Sequence, residues 1–173
     1  IVSAPGHTPG NLGALVEETG EFYGGDTFLP GRIPSAGLHF HSSTGTPRWP
    51  SLPPYLGAVE WLAGLPLSRL FPAHSDPRGN GHAVADSTVE AQRFIQHHRR
   101  RGQRVRAALA QGPTTVYDLA HEIFPRLPEP RLGQGMTEII GHLDILLTDR
   151  DATCEELEDG GWLYSPAAKN PPS

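Results

Sequence analysis

Three side chains that can bind a metal ion each follow a short predicted strand and lie beside glycine or proline. They are His7 in the segment Pro5–Gly10, Asp26 in Gly24–Thr27 and His74 in Phe71–Ser75. Loops at the ends of strands can bring ligands together although they are far apart in sequence, because the sheet beneath them is rigid. Imidazole and carboxylate together suit Zn²⁺ or another first-row cation. The sequence therefore predicts a sheet with a metal site at one edge.

Taken singly, each of these residues also fits a purely structural role in a loop or turn. A histidine in a Gly/Pro-rich segment is more often a loop residue than a ligand. An aspartate after two glycines is more often a turn former, because its carboxylate can accept bonds from nearby amides. His74 precedes Ser75, Asp76 and Pro77, which also fits plain turn chemistry. It is the order and shared setting of the three residues that favour the metal site.

The first hundred residues carry the pattern of a mixed α/β domain. The predicted elements are strands at Ile1–Ala4, Leu12–Val16 and Glu21–Tyr23, a helix opening at Ser51 and ending at Gly64, and a strand at Leu67–Phe71. Residues 31–50 are rich in Gly, Pro, Ser and Thr, which predicts an extended loop. Within that loop, His39 and His41 could contact a substrate, although exposed loop histidines are the more common case.

The remainder of the chain predicts three helices followed by a β-hairpin. The helices open at Ser87, where Glu90 gives capping-box spacing, at Thr115, and before the apolar stripe Met136–Leu147. The hairpin strands are Thr153–Leu157 and Trp162–Tyr164. This is the order of elements in a winged helix. Residues 167–173 are predicted to be a disordered tail.

The three polar segments resemble motifs of the metallo-β-lactamase-fold hydrolases. The segment Ala4–Asn11 resembles the third metal motif of that superfamily, with Asn11 where some members have a second histidine. Gly25–Leu29 is similar to the next motif, and Leu70–Ser75 to the last, which is usually Pro-Gly-His-Gly. In that last motif, Ala73 and Ser75 replace the usual flanking glycines.

This resemblance implies a fold and a division of the chain. The implied class is α+β: the C-terminal half of an αββα metallo-β-lactamase sandwich over residues 1–105, followed by a small winged-helix-like domain over residues 106–166. The last part resembles the extension of one branch, related to lactamase-β-like protein 2. The superfamily signature His-x-His-x-Asp-His does not occur in the sequence, which begins at Ile1 without Met. We therefore expect a fragment whose partner is the N-terminal half of the same domain.

The resemblance also implies the chemistry. His7 would help bind a first metal, His74 a second, and Asp26 would bridge both. Two zinc ions are expected in the complete protein, with Mn or Fe as possible substitutes. The implied function is a hydrolase that uses metal-bound hydroxide on an ester, thioester or similar acyl bond of a small molecule. No catalytic residue is assigned within this chain, which alone should be inactive because its metals lack the ligands of the absent signature.

Two other functions are compatible with the sequence. The first is a metal-dependent endoribonuclease, an activity known in the branch that the C-terminal extension resembles. The second is a non-catalytic winged-helix binding module. Although His97–Arg101 is strongly basic, a solvated helix face is its more common explanation, and the hairpin is acidic around Asp151, Glu155 and Asp159. An acidic wing is poorly suited to gripping phosphates.

The composition of the chain limits its cellular location and the partners that it can bind. The net charge is −5, which disfavours bulk electrostatic binding to nucleic acid. No apolar run reaches the roughly 18–20 residues of a membrane span, and no secretory signal is visible. A single cysteine, Cys154, excludes an intrachain disulfide. These features predict a cytoplasmic protein without membrane contact, and a homo-oligomer remains possible.

Overall fold

The computed structural model describes residues 1–29, 31–40, 48–75 and 86–168. The chain divides into two compact units, Ile1–Arg99 and Arg100–Ser173. None of the described helices is long and apolar enough to cross a membrane.

The first unit mixes short strands with two helices. Its elements are β1 (Val2–Ser3), β2 (Leu12–Val16), β3 (Glu21–Gly25), β4 (His39–Phe40), β5 (Arg48–Trp49), α1 (Leu52–Ala63), β6 (Arg69–Pro72) and α2 (Ser87–Leu109), whose last turns belong to the second unit.

The main sheet of the first unit has the order β1-β2-β3-β6. β1 pairs antiparallel with β2, β2 pairs antiparallel with β3, and β3 pairs parallel with β6. Strands β1, β3 and β6 therefore run in one direction and end at the same edge of the sheet. Phe22 and Leu70 are register partners across the parallel pair, and both are fully buried. Beside them, Arg69 and Glu21 form an ion pair at 2.7 Å.

The segment predicted as an extended loop is more ordered than its composition suggests. Within residues 31–50, β4 and β5 pair antiparallel, with His39 opposite Trp49. The prediction of an extended loop missed this short strand pair, because cross-strand pairing depends on partners that local composition does not report. Residues 41–47, including His41, lie outside the described residues.

Both helices of the first unit begin close to the predicted positions, but neither serine caps its helix. Ser51 occupies the N-cap of α1, yet its hydroxyl accepts no hydrogen bond from a helix amide and donates instead to the carbonyl of Gly37. For α2, Asp86 accepts a hydrogen bond from the amide of Val89 at 3.0 Å, so Asp86, and not Ser87, is the capping residue. The predicted end of α1 at Gly64 is confirmed.

The second unit combines helices with a three-stranded sheet. Its further elements are β7 (Thr114–Thr115), α3 (Val116–Ile123), a 3₁₀ turn (Glu129–Arg131), α4 (Leu132–Thr148), β8 (Ala152–Glu156) and β9 (Trp162–Pro166). The sheet order is β7-β9-β8. Thr115 caps α3 by accepting from the amide of Asp118 at 3.2 Å, as predicted. The predicted helices and hairpin are confirmed, whereas the short strand β7 was not predicted.

The core of the second unit consists of apolar side chains from every helix and from the hairpin. Its fully buried members include Val105, Leu119, Ile139 and Leu143. Burying a side chain of this size contributes roughly 1.5–3 kcal/mol. The predicted stripe of α4 therefore faces this core.

Candidate metal centre

Asp26 and His74 meet at the edge where the parallel strands end. Asp26 follows β3 directly, and His74 lies two residues beyond β6. Because these strands are parallel neighbours, the side chains that follow them emerge side by side. His74 Nε2 lies 3.2 Å from Asp26 Oδ1, and the two side chains are 63% and 27% exposed. Both groups are thus accessible to an ion from solvent.

The turn that carries Asp26 is closed by its own backbone and by Thr27. The amide and the hydroxyl of Thr27 donate to the carbonyl of Gly24 at 3.0 and 2.7 Å. The register of β3 against β6 shifts between Tyr23 and Gly25, and Gly25 has a φ of +57°. Glycine adopts this backbone conformation without strain, which allows the chain to turn immediately before Asp26.

Asn11 connects this turn to the segment that carries His7. Its side-chain amide donates to the carbonyl of Ala4 at 2.8 Å and to Oγ1 of Thr27 at 2.9 Å. The Asn11 side chain also packs so closely on Gly25 that an added Cβ would lie 2.9 Å from Asn11 Oδ1. Sequence reasoning noted Asn11 only as a replacement for histidine. Its role as a link between two motifs depends on contacts across the sheet.

Tyr55 of α1 is a second link that sequence reasoning missed. The side chain is fully buried, and its hydroxyl lies 2.8 Å from the carbonyl oxygens of both Asp26 and Thr27. Burial raises the pKa of Tyr55 strongly, and the negative charge of Asp26 raises it further. The ring lies against Gly6, where an added Cβ would be 2.1 Å from Tyr55 Cγ. The sequence could have indicated this role, because Tyr55 lies within an apolar helix stripe and a buried hydroxyl requires a hydrogen-bond partner.

His7 is held through both its side chain and its backbone. Nδ1 lies 2.9 Å from the carbonyl oxygen of Ser35, and the His7 carbonyl lies 3.0 Å from Nε2 of His39. Because a carbonyl only accepts hydrogen bonds, Nδ1 of His7 must carry a proton, and in the neutral ring the lone pair is then on Nε2. That tautomer leaves Nε2 suited to bind a cation.

The structure brings two of the three predicted ligands into direct contact. Within the described ranges, no group of three or more His, Cys, Asp and Glu residues lies close enough to hold a metal ion. Asp26 and His74 form a pair, while His7 is connected to the Asp26 turn through Asn11 and Tyr55. The donor chemistry nevertheless fits a zinc-type cation, since two imidazoles and a carboxylate follow three strands that end at one edge.

Known proteins that are similar to this chain indicate its fold. No family model matches the chain. Over 153 residues the chain is 27% identical to a Bacillus subtilis (strain 168) protein named "Probable metallo-hydrolase YqjP", covering 88% of this chain. A metallo-β-lactamase family protein from Thermus thermophilus superposes with a TM-score of 0.72 and 25% identity over 94% of this chain. The chain has the fold of part of a metallo-β-lactamase family protein.

A second solved structure supports the same fold, and at its lower identity it says nothing about function. A β-lactamase domain protein from Burkholderia ambifaria superposes with a TM-score of 0.77 and 23% identity over 96% of this chain. The chain spans about half the length of these proteins, namely 46% of the Bacillus relative and 47% of each solved chain. The α+β class and the resemblance inferred from the three motifs are confirmed.

Proposed function

We propose that the full-length protein is a metal-dependent hydrolase whose ions are held in part by His7, Asp26 and His74. The observation that carries this proposal is the 3.2 Å contact between Asp26 and His74 at the shared end of two parallel strands. The name of the Bacillus relative, a metallo-hydrolase, supports the same reaction class. The hydrogen bond from Nδ1 of His7 to the Ser35 carbonyl favours a neutral ring whose Nε2 lone pair is a third metal donor.

The metal set that best suits these donors is a pair of zinc ions. His7 would hold one ion, His74 the other, and the Asp26 carboxylate would be shared between them. When bound, such a pair polarises a substrate oxygen and lowers the pKa of coordinated water toward neutrality. This chain supplies each ion with two protein ligands, and zinc favours about four. The isolated chain is therefore expected to bind zinc weakly and to be inactive.

Two arginines of the second unit are held by internal contacts, which favours a small acyl substrate over RNA. Arg101 pairs with Glu138 at 2.7 Å and lies over the Phe124 ring at 4.2 Å. Arg104 donates to the carbonyl of Ile123 at 2.6 Å. A guanidinium held in this way is less available to phosphate. We propose an ester or thioester substrate, and a winged-helix-like second unit that does not bind nucleic acid.

Assays on the full-length protein test the reaction class and the substrate together. Hydrolysis of a p-nitrophenyl ester, an acyl-thioester and a labelled RNA is measured before and after treatment with a chelator. We expect chelator-sensitive hydrolysis of an acyl substrate, abolished by Asp26→Asn and retained by Glu60→Gln on the exposed face of α1. Chelator-sensitive RNA cleavage would replace the acyl substrate with RNA. Activity unaffected by chelator and by Asp26→Asn would refute the proposed function.

A further inference from the structure

The segment Pro34–His39 closes around His7 with two hydrogen bonds that run in opposite directions. His7 Nδ1 donates to the carbonyl of Ser35 at 2.9 Å, and His39 Nε2 donates to the carbonyl of His7 at 3.0 Å. One bond fixes the ring and the other fixes the backbone of the same residue. We call this segment together with its two bonds the His7 clasp.

The clasp depends on close backbone approach at Gly37. A Cβ added at Gly37 would lie 2.2 Å from His39 Nε2 and 2.5 Å from the carbonyl oxygen of His7. Atoms at these distances would overlap, so only glycine allows the His39 ring to reach the His7 carbonyl across this point. The hydroxyl of Ser51 donates to the Gly37 carbonyl and ties the clasp to the start of α1.

We propose that His39 is a positioning residue for metal binding by His7. With its backbone held by His39, the His7 ring is placed so that Ser35 selects the Nδ1–H tautomer and leaves the Nε2 lone pair for the ion. Hydrogen-bond partners of this kind around a metal-binding histidine typically change metal affinity by about 10–100-fold. The inference rests on the proposed function, because the role of the clasp is to prepare a ligand.

Two variants at position 39 separate positioning from mere packing. His39→Gln retains an N–H donor at about the same distance from the backbone, whereas His39→Leu retains bulk and loses the donor. Long-range ¹H–¹⁵N NMR correlations on the chelator-treated full-length protein report the tautomer of His7. Zinc affinity is measured by competition with a chromophoric chelator. Thermal melting establishes that each variant is folded.

We expect the wild-type protein and His39→Gln to show the Nδ1–H tautomer of His7 and zinc affinities within about threefold of each other. His39→Leu should mix the two tautomers and lower zinc affinity by about 10-fold or more. If His39→Leu fails to fold, Ser51→Ala, which removes only the Gly37 tie, should shift both readouts in the same direction by a smaller amount.

Two failures are distinguishable. In the first, the wild-type protein binds zinc, and a folded His39→Leu (or Ser51→Ala in its place) retains both the His7 tautomer and the zinc affinity. This result would overturn the clasp inference and leave the proposed function standing. If the wild-type protein binds no zinc, the proposed function fails and the inference fails with it, whatever the NMR shows.

Discussion

The phenolic oxygen of Tyr55 lies 2.8 Å from the carbonyl oxygen of Asp26, the residue whose carboxylate contacts His74. The same tyrosine ring lies against Gly6, directly before His7. One buried side chain of α1 therefore contacts both strand-end segments that carry predicted ligands. Tyr55 therefore helps to fix the position of these segments relative to each other.

Removal of the Tyr55 hydroxyl should destabilise the first unit without creating a cavity in its core. Tyr55→Phe keeps the ring against Gly6 and leaves the carbonyls of Asp26 and Thr27 without this donor. Loss of a buried hydrogen-bond partner costs about 1–3 kcal/mol, so the free energy of unfolding in urea should fall by that amount. The control Tyr117→Phe changes an exposed side chain and should stay within about 0.5 kcal/mol. Equal effects of the two variants would contradict this role.

Tyr55 should also make stability sensitive to alkaline pH. Its pKa is raised in the folded chain by burial and by Asp26, so the folded state keeps the proton above the ordinary pKa near 10. The unfolded chain releases that proton, so this contribution is complete below about pH 10 and falls by about 1.4 kcal/mol per pH unit above it. Compared with Tyr55→Phe, the absorbance of the wild-type protein at 295 nm should show one additional tyrosine, which ionises only as the chain unfolds. A folded protein in which Tyr55→Phe leaves the alkaline titration unchanged would disprove this.

Alanine should have opposite effects at two glycines of the first unit. Gly6 has a φ of +150°, and its added Cβ would lie 2.1 Å from Tyr55 Cγ. Gly6→Ala should therefore lower the free energy of unfolding by about 2 kcal/mol or more. Gly57 is exposed within α1, and a Cβ added there would meet no neighbouring atom within 4 Å, so Gly57→Ala should raise the free energy of unfolding by about 0.5–1 kcal/mol. Chemical denaturation measures both, and a tolerated Gly6→Ala would show that the ring does not pack as described.

Arg101 should stabilise the second unit through its internal contacts. The side chain is 14% exposed, pairs with Glu138 and lies over Phe124. Arg101→Ala should reduce the free energy of unfolding by about 1–3 kcal/mol, because Glu138 loses a charged partner. The neighbouring Arg100 is exposed, and Arg100→Ala should have little effect, within about 0.5 kcal/mol. Matching losses for the two arginines would contradict the internal role of Arg101.

The sequence predicted the strand ends and helices but not how they join. Asp26 and His74 stand out because each follows a strand-like run. Their contact also requires β3 and β6 to be parallel neighbours, and strand runs separated by more than forty residues do not encode that pairing. Tyr55 resembles an ordinary core residue because the hydroxyl's partners, Asp26 and Thr27, lie 29 and 28 residues away. Ser51 has the appearance of a helix cap, and only the tertiary structure directs its hydroxyl to Gly37.

We propose that His7, Asp26 and His74 jointly bind metal ions. Anomalous X-ray diffraction from zinc-loaded crystals of the full-length protein, recorded on both sides of the zinc edge, tests it most directly. We expect two zinc peaks, one about 2.0–2.2 Å from a His7 nitrogen and one at that distance from a His74 nitrogen, with the Asp26 carboxylate binding both. An intact fold with no zinc peak near these three side chains, or with zinc bound only elsewhere, would contradict it.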